Sequence, residues 1–70
     1  MSKTKPNIGK NIRKYRLQKK ISQDRLSKLA DVAFHTITKI ESGDTPNPTI
    51  ETVKKIADAL GVSLDDLMKT

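Results

Sequence analysis

The side chains of this sequence that could do chemistry are mostly cations, and they are concentrated at one end of the chain. Fourteen lysines and arginines stand against eight aspartates and glutamates, which leaves a net charge of +6. Residues 1–20 contain no acid and hold eight of the cations: Lys3, Lys5, Lys10, Arg13, Lys14, Arg16, Lys19 and Lys20. A cationic end attracts polyanions, so charge alone favours nucleic acid or an anionic membrane surface as the partner.

Residues that would support catalysis or metal binding are sparse. The chain has no cysteine and one histidine, and its carboxylates do not follow a metal-ligand spacing. It contains no glycine-rich phosphate loop and no nucleophile accompanied by a base and an orienting acid. We therefore expect no enzyme, no cofactor and no metal ion. An apolar run of the ~18 residues that a bilayer span needs is absent, as is a signal peptide, so we expect a cytoplasmic protein of a prokaryote.

The elements that must position any site are helices, because apolar residues recur at helical spacing and no segment alternates as a strand does. We expect an all-α domain over 8–70, with five short helices around one core, after a basic, flexible arm over 1–7. The expected helix boundaries are Asn7 as first N-cap with a helix to about Lys20, a cap at Ser22, a third helix over about 33–42 ending at Gly43, a cap at Thr49 with an end at Gly61, and a cap at Ser63. The expected apolar faces comprise Ile8, Ile12 and Tyr15; Leu26, Leu29 and Ala30; Ile37 and Ile40; Ile50, Val53, Ile56, Ala57 and Leu60; and Leu64, Leu67 and Met68.

The most informative part is the segment 22–43, which reads as two short helices joined by a tight turn. Asp31 is placed where the chain must turn, and aspartate tolerates a left-handed backbone better than most residues. The small Ser27 and Ala30 would let the helices approach closely, while Val32 and Ile37 fill the corner. This arrangement is typical of a helix-turn-helix, whose second helix enters the major groove of DNA.

Several segments in their order along the chain resemble the Cro/CI-type (XRE) helix-turn-helix family. They are ISQDRLSKLADV at 21–32, TITKIESG at 36–43, NPTIET at 47–52, IADALGVSL at 56–64 and the following Asp-Asp-Leu. The resemblance covers about residues 8–69. It implies the five-helix, lambda-repressor-like fold and binding to double-stranded DNA.

The base-reading positions of that family fall on Phe34, His35, Thr38 and Lys39. Lys39 would donate to guanine O6 and N7, Thr38 would bond a base or touch a thymine methyl group, and Phe34 would make apolar contact with such a methyl group. Two alternatives stay open: Phe34 as a core or dimer contact, and His35 as a surface residue that touches no base.

The resemblance also assigns residues to positioning roles. Gln23 would bond a phosphate and brace the third helix, and Arg16 and Glu41 would form an ion pair that ties the first helix to the third. Contacts with the DNA backbone are expected from Ser22, Thr36, Ser42, Thr45 and Asn47. Two positions depart from the family pattern: Ala33 stands where a capping residue is common, and Asp44 stands where a cation would meet phosphate.

The function that these residues imply is a transcriptional regulator, with a repressor preferred. It would act as a homodimer on an inverted repeat, because one recognition helix covers only a few base pairs. The alternative is an antitoxin or another protein-binding module that binds a partner such as a toxin and also its own promoter, since one fold serves both uses. A fragment of a larger regulator and a restriction-modification controller protein, which belongs to the same family, also remain open.

Overall fold

Five short helices make up the fold. The computed structural model describes residues 7–44 and 48–69, with α1 (Ile8–Gln18), α2 (Gln23–Ala30), α3 (Phe34–Ser42), α4 (Ile50–Leu60) and α5 (Leu64–Met68). These residues form no strand, so the expected all-α class is confirmed. Within the same residues, no helix has the length and apolar character needed to cross a membrane.

The core lies where α1 and α2 meet the other three helices: α1 packs on α3, α4 and α5, while α2 packs on α3 and α4. Its fully buried large side chains are Ile12, Leu26, Ile37, Ile40, Val53, Ile56, Leu60 and Leu67. Two residues expected in the apolar faces are not in the core, since Leu29 is 50% exposed and Ile50 is 61% exposed. The helices α3 and α4 cover only a narrow stripe of α2, and Leu29 lies outside that stripe. Ile50 is the first residue of α4, and the buried stripe of that helix starts at Val53.

Three of the helices end in the same way. A backbone N–H two or three residues past the helix bonds to the carbonyl five residues back, as in Ile21 to Arg16, Val32 to Ser27 and Val62 to Ala57. This is the Schellman arrangement, which places the residue before the donor in the left-handed region. Those residues are Lys20, Asp31 and Gly61. The first helix ends at Gln18, before the expected Lys20, because Lys20 takes the left-handed conformation. The sequence did not signal this end, because no glycine occupies the left-handed position.

The helix starts follow the expected caps in three cases. The hydroxyl groups of Ser22, Thr49 and Ser63 each accept a bond from a backbone N–H three residues on. Ser63 also donates its backbone N–H to the Asp66 carboxylate at 3.1 Å, which completes a capping box and lowers the pKa of that carboxyl group. Asn7 and Ala33 occupy the corresponding positions of α1 and α3, but neither side chain makes a cap bond.

The two ends of the described chain are held together by Asn11. Its side-chain amide donates to the carbonyl of Leu67 at 2.9 Å and to that of Lys69 at 2.7 Å. The backbone N–H of Asn7 reaches the same Lys69 carbonyl at 3.3 Å. These bonds satisfy carbonyl groups at the end of α5, which a helix of five residues cannot satisfy by itself. They fix α5 against α1.

Candidate functional site

The site is built on α2, α3 and the turn between them. Asp31 takes the left-handed backbone conformation at φ 58°, and the N–H of Val32 bonds back to the Ser27 carbonyl at 3.0 Å. Ser27 and Ala30 are buried between the helices, and Ile37 is fully buried. Small side chains at the contact allow close approach, and the single left-handed residue redirects the chain within three residues. The result is a helix-turn-helix whose second helix is α3.

A three-residue network holds α3 to the helices before it. Arg16 donates from Nε to Glu41 Oε2 at 2.7 Å and from Nη2 to Glu41 Oε1 at 3.0 Å. Gln23 donates from Nε2 to the same Oε1 at 3.0 Å. Glu41 thus receives bonds from both α1 and α2, and its carboxylate is fixed by three donors.

The network is mostly out of water, because the side chains of Arg16 and Glu41 are 10% and 4% exposed. The guanidinium group makes a further bond from Nη1 to the Ile21 carbonyl at 2.9 Å, in the segment between α1 and α2. Charge-assisted bidentate bonds are stronger and more directional than neutral ones. The orientation of α3 is therefore set by bonds as well as by apolar packing. The bond to Ile21, the residue after the left-handed Lys20, was not expected from the sequence.

The outward side of α3 carries the four residues expected to read bases. Phe34, His35 and Lys39 are exposed and Thr38 is partly exposed, so none of them is packed inside the domain. Phe34 is 47% exposed, which rules out the reading of this residue as part of the core. The Thr38 hydroxyl donates to the His35 carbonyl at 2.9 Å, and the Ser42 hydroxyl donates to the Lys39 carbonyl at 3.0 Å.

The residues expected to contact a DNA backbone lie at the edges of the same unit. Ser22 and Gln23 begin α2, Thr36 is in the first turn of α3, and Ser42 is its last residue. Ser22 uses its hydroxyl to cap α2, by accepting from the N–H of Arg25 at 3.0 Å. Thr45 and Asn47 lie outside the described residues, as does the part of the expected arm over 1–6.

The two departures from the family pattern have different structural outcomes. Ala33 precedes α3 and offers no side-chain acceptor to the first turn, although its backbone carbonyl accepts from the N–H of Thr36 at 3.0 Å. Asp44 is exposed just past Gly43, and its backbone N–H donates to the Ser42 hydroxyl at 3.3 Å. No ion pair involving Asp44 occurs among the residues that the structure describes, so its charge stays at the edge of the unit.

Residues 7–44 and 48–69 contain no cluster of three histidine or acidic side chains that could hold an ion. His35 has instead the outward position on α3 given above. The chemistry on offer at this surface is hydrogen-bond donation from Lys39 and His35 and apolar contact from Phe34.

Comparison with known families decides how this unit is classified. The family model described as helix-turn-helix matches residues 12–67, which includes all of α2 to α4 and most of α1 and α5. The chain belongs to the Cro/CI-type helix-turn-helix family. The resemblance expected from the sequence is thereby confirmed, and so is the lambda-repressor-like fold.

Relatives of this helix-turn-helix domain are found among bacterial regulators. The HTH-type transcriptional regulator RghRB of Bacillus subtilis (strain 168), itself uncharacterized, is 33% identical over 61 residues. Those residues are 87% of this chain and 44% of RghRB, so the chain spans less than half the length of that relative.

Solved structures give the same classification. The N-terminal DNA-binding domain of SinR from Bacillus subtilis superposes with a TM-score of 0.86 at 33% identity, over 90% of this chain and 91% of that domain. The P22 c2 repressor, solved with a synthetic operator, gives 0.79 at 34% identity over 89% and 92% of the two chains. A hydroxypropylphosphonic acid epoxidase from S. wedmorenis, at 22% identity, gives 0.78 over 35% of its length, which shows a shared fold alone.

Proposed function

We propose that this chain regulates transcription by placing α3 in the major groove of double-stranded DNA, where its outward residues read base edges. DNA-binding regulation of transcription is the activity that family membership supports. The observation that carries the proposal is the geometry of α3: an anchored helix with Phe34, His35 and Lys39 exposed along one side. A helix of nine residues is about 14 Å long, and the major groove is about 12 Å wide and admits one helix.

Anchoring matters because base recognition depends on position. A side chain that must reach two acceptors on one guanine gains its discrimination only if the helix axis is fixed. The bonds of Glu41 to Arg16 and Gln23 supply that constraint from the side of α3 that faces the protein. Lys39 is then the donor to guanine O6 and N7, and His35 is a second donor or acceptor one turn earlier.

Contacts to phosphates set the position and orientation of α3 on the duplex. Ser22 and Gln23 at the start of α2, Thr36 in the first turn of α3 and Ser42 at its end frame the reading face, and we assign them to the DNA backbone together with Thr45 and Asn47. The exposed cations of α1, among them Lys10, Arg13 and Lys14, add attraction that acts at a distance and weakens with salt. Asp44 opposes this attraction locally.

A homodimer on an inverted repeat completes the proposal, with half-sites about one helical turn, or ~34 Å, apart. The candidate dimer surface in this proposal is the last helix, α5. Its Leu67 is fully buried in the core of the domain, while Leu64 and Met68 are partly exposed beside it. Only those two apolar side chains of α5 remain for a second copy, so the dimer is weak and forms mainly on DNA.

We propose repression, by occupation of a promoter in the cytoplasm. Binding to a toxin stays a prediction.

The test is selection of bound duplexes from a random pool, with the natural chain and with Lys39→Ala. The natural chain should enrich an inverted repeat. The variant should lose about tenfold in affinity for it and relax its preference at one position in each half-site, because a bidentate contact is worth ~1–3 kcal/mol. Failure of the natural chain to enrich any sequence would refute the proposal.

The matched control is Lys10→Ala, which removes the same charge from the exposed side of α1. It should weaken binding evenly across duplexes, lower the salt dependence and leave the selected sequence unchanged. An altered sequence preference in Lys10→Ala would mean that α3 is not the reading element. Sedimentation of the chain with and without the selected duplex measures the proposed dimer.

A further inference from the structure

A groove outside the proposed DNA-reading surface lies where the C-terminal ends of α1 and α4 meet. It measures about 330 Å³, and the residues that line this Tyr15 groove are Tyr15, Gln18, Lys19, Leu60, Gly61 and Val62. Tyr15 and Gln18 are three positions apart and share one side of α1. Gly9 and Arg16 contact α3 from another side of that helix, since successive residues project about 100° apart. The Tyr15 groove is therefore turned to a different side of the domain from α3.

The Tyr15 groove combines an apolar surface with cations at its edge. Leu60 is buried, and the Tyr15 ring is partly buried against the core. The Nζ atom of Lys14 lies 5.4 Å from the centre of that ring. Lys19 extends over Gly61, since a Cβ added at Gly61 would lie 3.8 Å from Lys19 Nζ. No carboxylate is among the lining residues, and neither lysine forms an ion pair within residues 7–44 and 48–69.

We propose that the Tyr15 groove binds an acidic peptide segment of a partner protein. One apolar side chain of the segment would lie against the Tyr15 ring and remove apolar surface from water. Carboxylates on either side of it would lie beside Lys14 and Lys19, whose charges have no partner in the described part of this chain. Charge complementarity of this kind steers association and selects among partners.

Two other occupants match this surface less well. A second copy of this chain carries the same net charge of +6, so its approach to a cationic groove is opposed by repulsion. A DNA backbone would supply anions to the two lysines, but its phosphates offer no apolar group to the Tyr15 ring. Only an acidic segment with an apolar side chain uses both parts of the groove.

The test begins with a library of random peptides displayed on phage and selected against the whole chain. Enriched peptides should carry an apolar residue between aspartates or glutamates. A selection that enriches no peptide, or only peptides without acidic residues, would overturn the inference. Amide signals of Lys19, Gly61 and Val62 should shift in the NMR spectrum when an enriched peptide is added. Shifts confined to α3 would mean that the peptide only imitates DNA, and the inference would be wrong.

Opposite substitutions of Gln18 test the charge at the groove without touching the core, because this side chain is exposed. Gln18→Glu should weaken binding of the enriched peptide about threefold and Gln18→Lys should strengthen it about threefold, as expected for one exposed charge pair. Lys55→Gln lowers the net charge by the same amount as Gln18→Glu, at an exposed position of α4 outside the groove, and should change binding little. Equal losses in Gln18→Glu and Lys55→Gln would show unspecific attraction and refute the inference.

Sedimentation of the free chain tests the occupant that the charge argument disfavours. We expect no self-association that depends on the Tyr15 groove, so the natural chain and Gln18→Glu should sediment alike. If the natural chain associates with itself and Gln18→Glu abolishes this association, the groove holds a second copy and the inference is wrong. Thermal unfolding of each variant shows that it is folded.

Discussion

Gly9 lies against the backbone carbonyl of Ile40, where α1 packs on α3. A Cβ added at Gly9 would collide with the Ile40 oxygen and would lie 3.3 Å from the Cα of Glu41. The neighbouring atoms belong to the backbone of α3, so no side-chain rotation could make room. Glycine is required here by the approach of two helices, and the same approach places Glu41 within reach of Arg16.

Gly9→Ala should destabilise the domain by about 2 kcal/mol, since overpacking a fixed contact costs ~1–3 kcal/mol. This outcome opposes local propensity, because alanine is favoured over glycine inside a helix by ~1 kcal/mol. Urea unfolding followed by circular dichroism measures the change. Gln18→Ala, at an exposed position of the same helix, should be close to neutral. A Gly9→Ala variant more stable than the natural chain would show that the two helices can separate without cost.

Arg16 and Glu41 should be strongly coupled. Removal of either partner strands the other in a mostly buried position, which costs ~3–5 kcal/mol, whereas removal of both should cost much less than the sum. The comparison is a double-mutant cycle of Arg16→Ala and Glu41→Ala by urea unfolding. Lys28 and Asp24 form an exposed ion pair at 3.3 Å and provide the control cycle, with an expected coupling of under ~1 kcal/mol. Coupling energies of equal size in the two cycles would contradict this expectation.

Asn11→Ala should loosen α5 before the rest of the domain. The side chain donates to the carbonyl of Leu67 in α5 and to that of Lys69 just past it, and the loss of a bond between partners of this kind costs ~0.5–1.5 kcal/mol. Hydrogen exchange should accelerate at the amides of α5 more than at those of α3. Asn7→Ala is the matched control, because the Asn7 side chain makes no cap bond to α1 and its removal should change little. Uniform acceleration over all helices would mean that α5 does not open separately.

Ala33→Ser should stabilise the free domain. Ala33 holds the N-cap position of α3 with φ −58° and ψ 140° and offers no side-chain acceptor. A serine hydroxyl there could accept from the N–H of a residue in the first turn, as Ser22 does for α2, for a gain of ~1 kcal/mol. The midpoint of thermal unfolding should therefore rise. Ala33→Val, which adds a side chain without an acceptor, should give no gain; a rise of the same size in both variants would point to a cause other than capping.

Much of the fold was predictable because its signals are local. Ser22, Thr49 and Ser63 cap their helices through residues three positions on, and Gly43 and Gly61 end theirs in the left-handed region. Such bonds form between neighbours in the chain, so residue type and spacing indicate them. The residues on the outward side of α3 were predictable too, because the helical period determines them once the first residue of the helix is known.

Other features were predicted wrongly or not at all, because they depend on which parts of the chain pack against each residue in the folded domain. Leu29 and Ile50 are apolar and stand at the spacing of core residues, yet no helix covers either of them fully. Lys20 takes a backbone conformation that favours glycine, and this shortens α1. Asn11 looked like any polar residue of α1, although its partners are more than 50 positions away.

The sequence by itself determined the helix count, the helix-turn-helix at 22–43 and the concentration of cations in its first twenty residues. These follow from periodicity, capping and charge, which are read along the chain. Only the tertiary structure decided that Glu41 receives bonds from α1 and α2 together, that Gly9 touches the backbone of α3, and that the Thr38 hydroxyl is engaged. Contacts across the chain depend on how helices pack, and side-chain bonds depend on the rotamers that the packing allows.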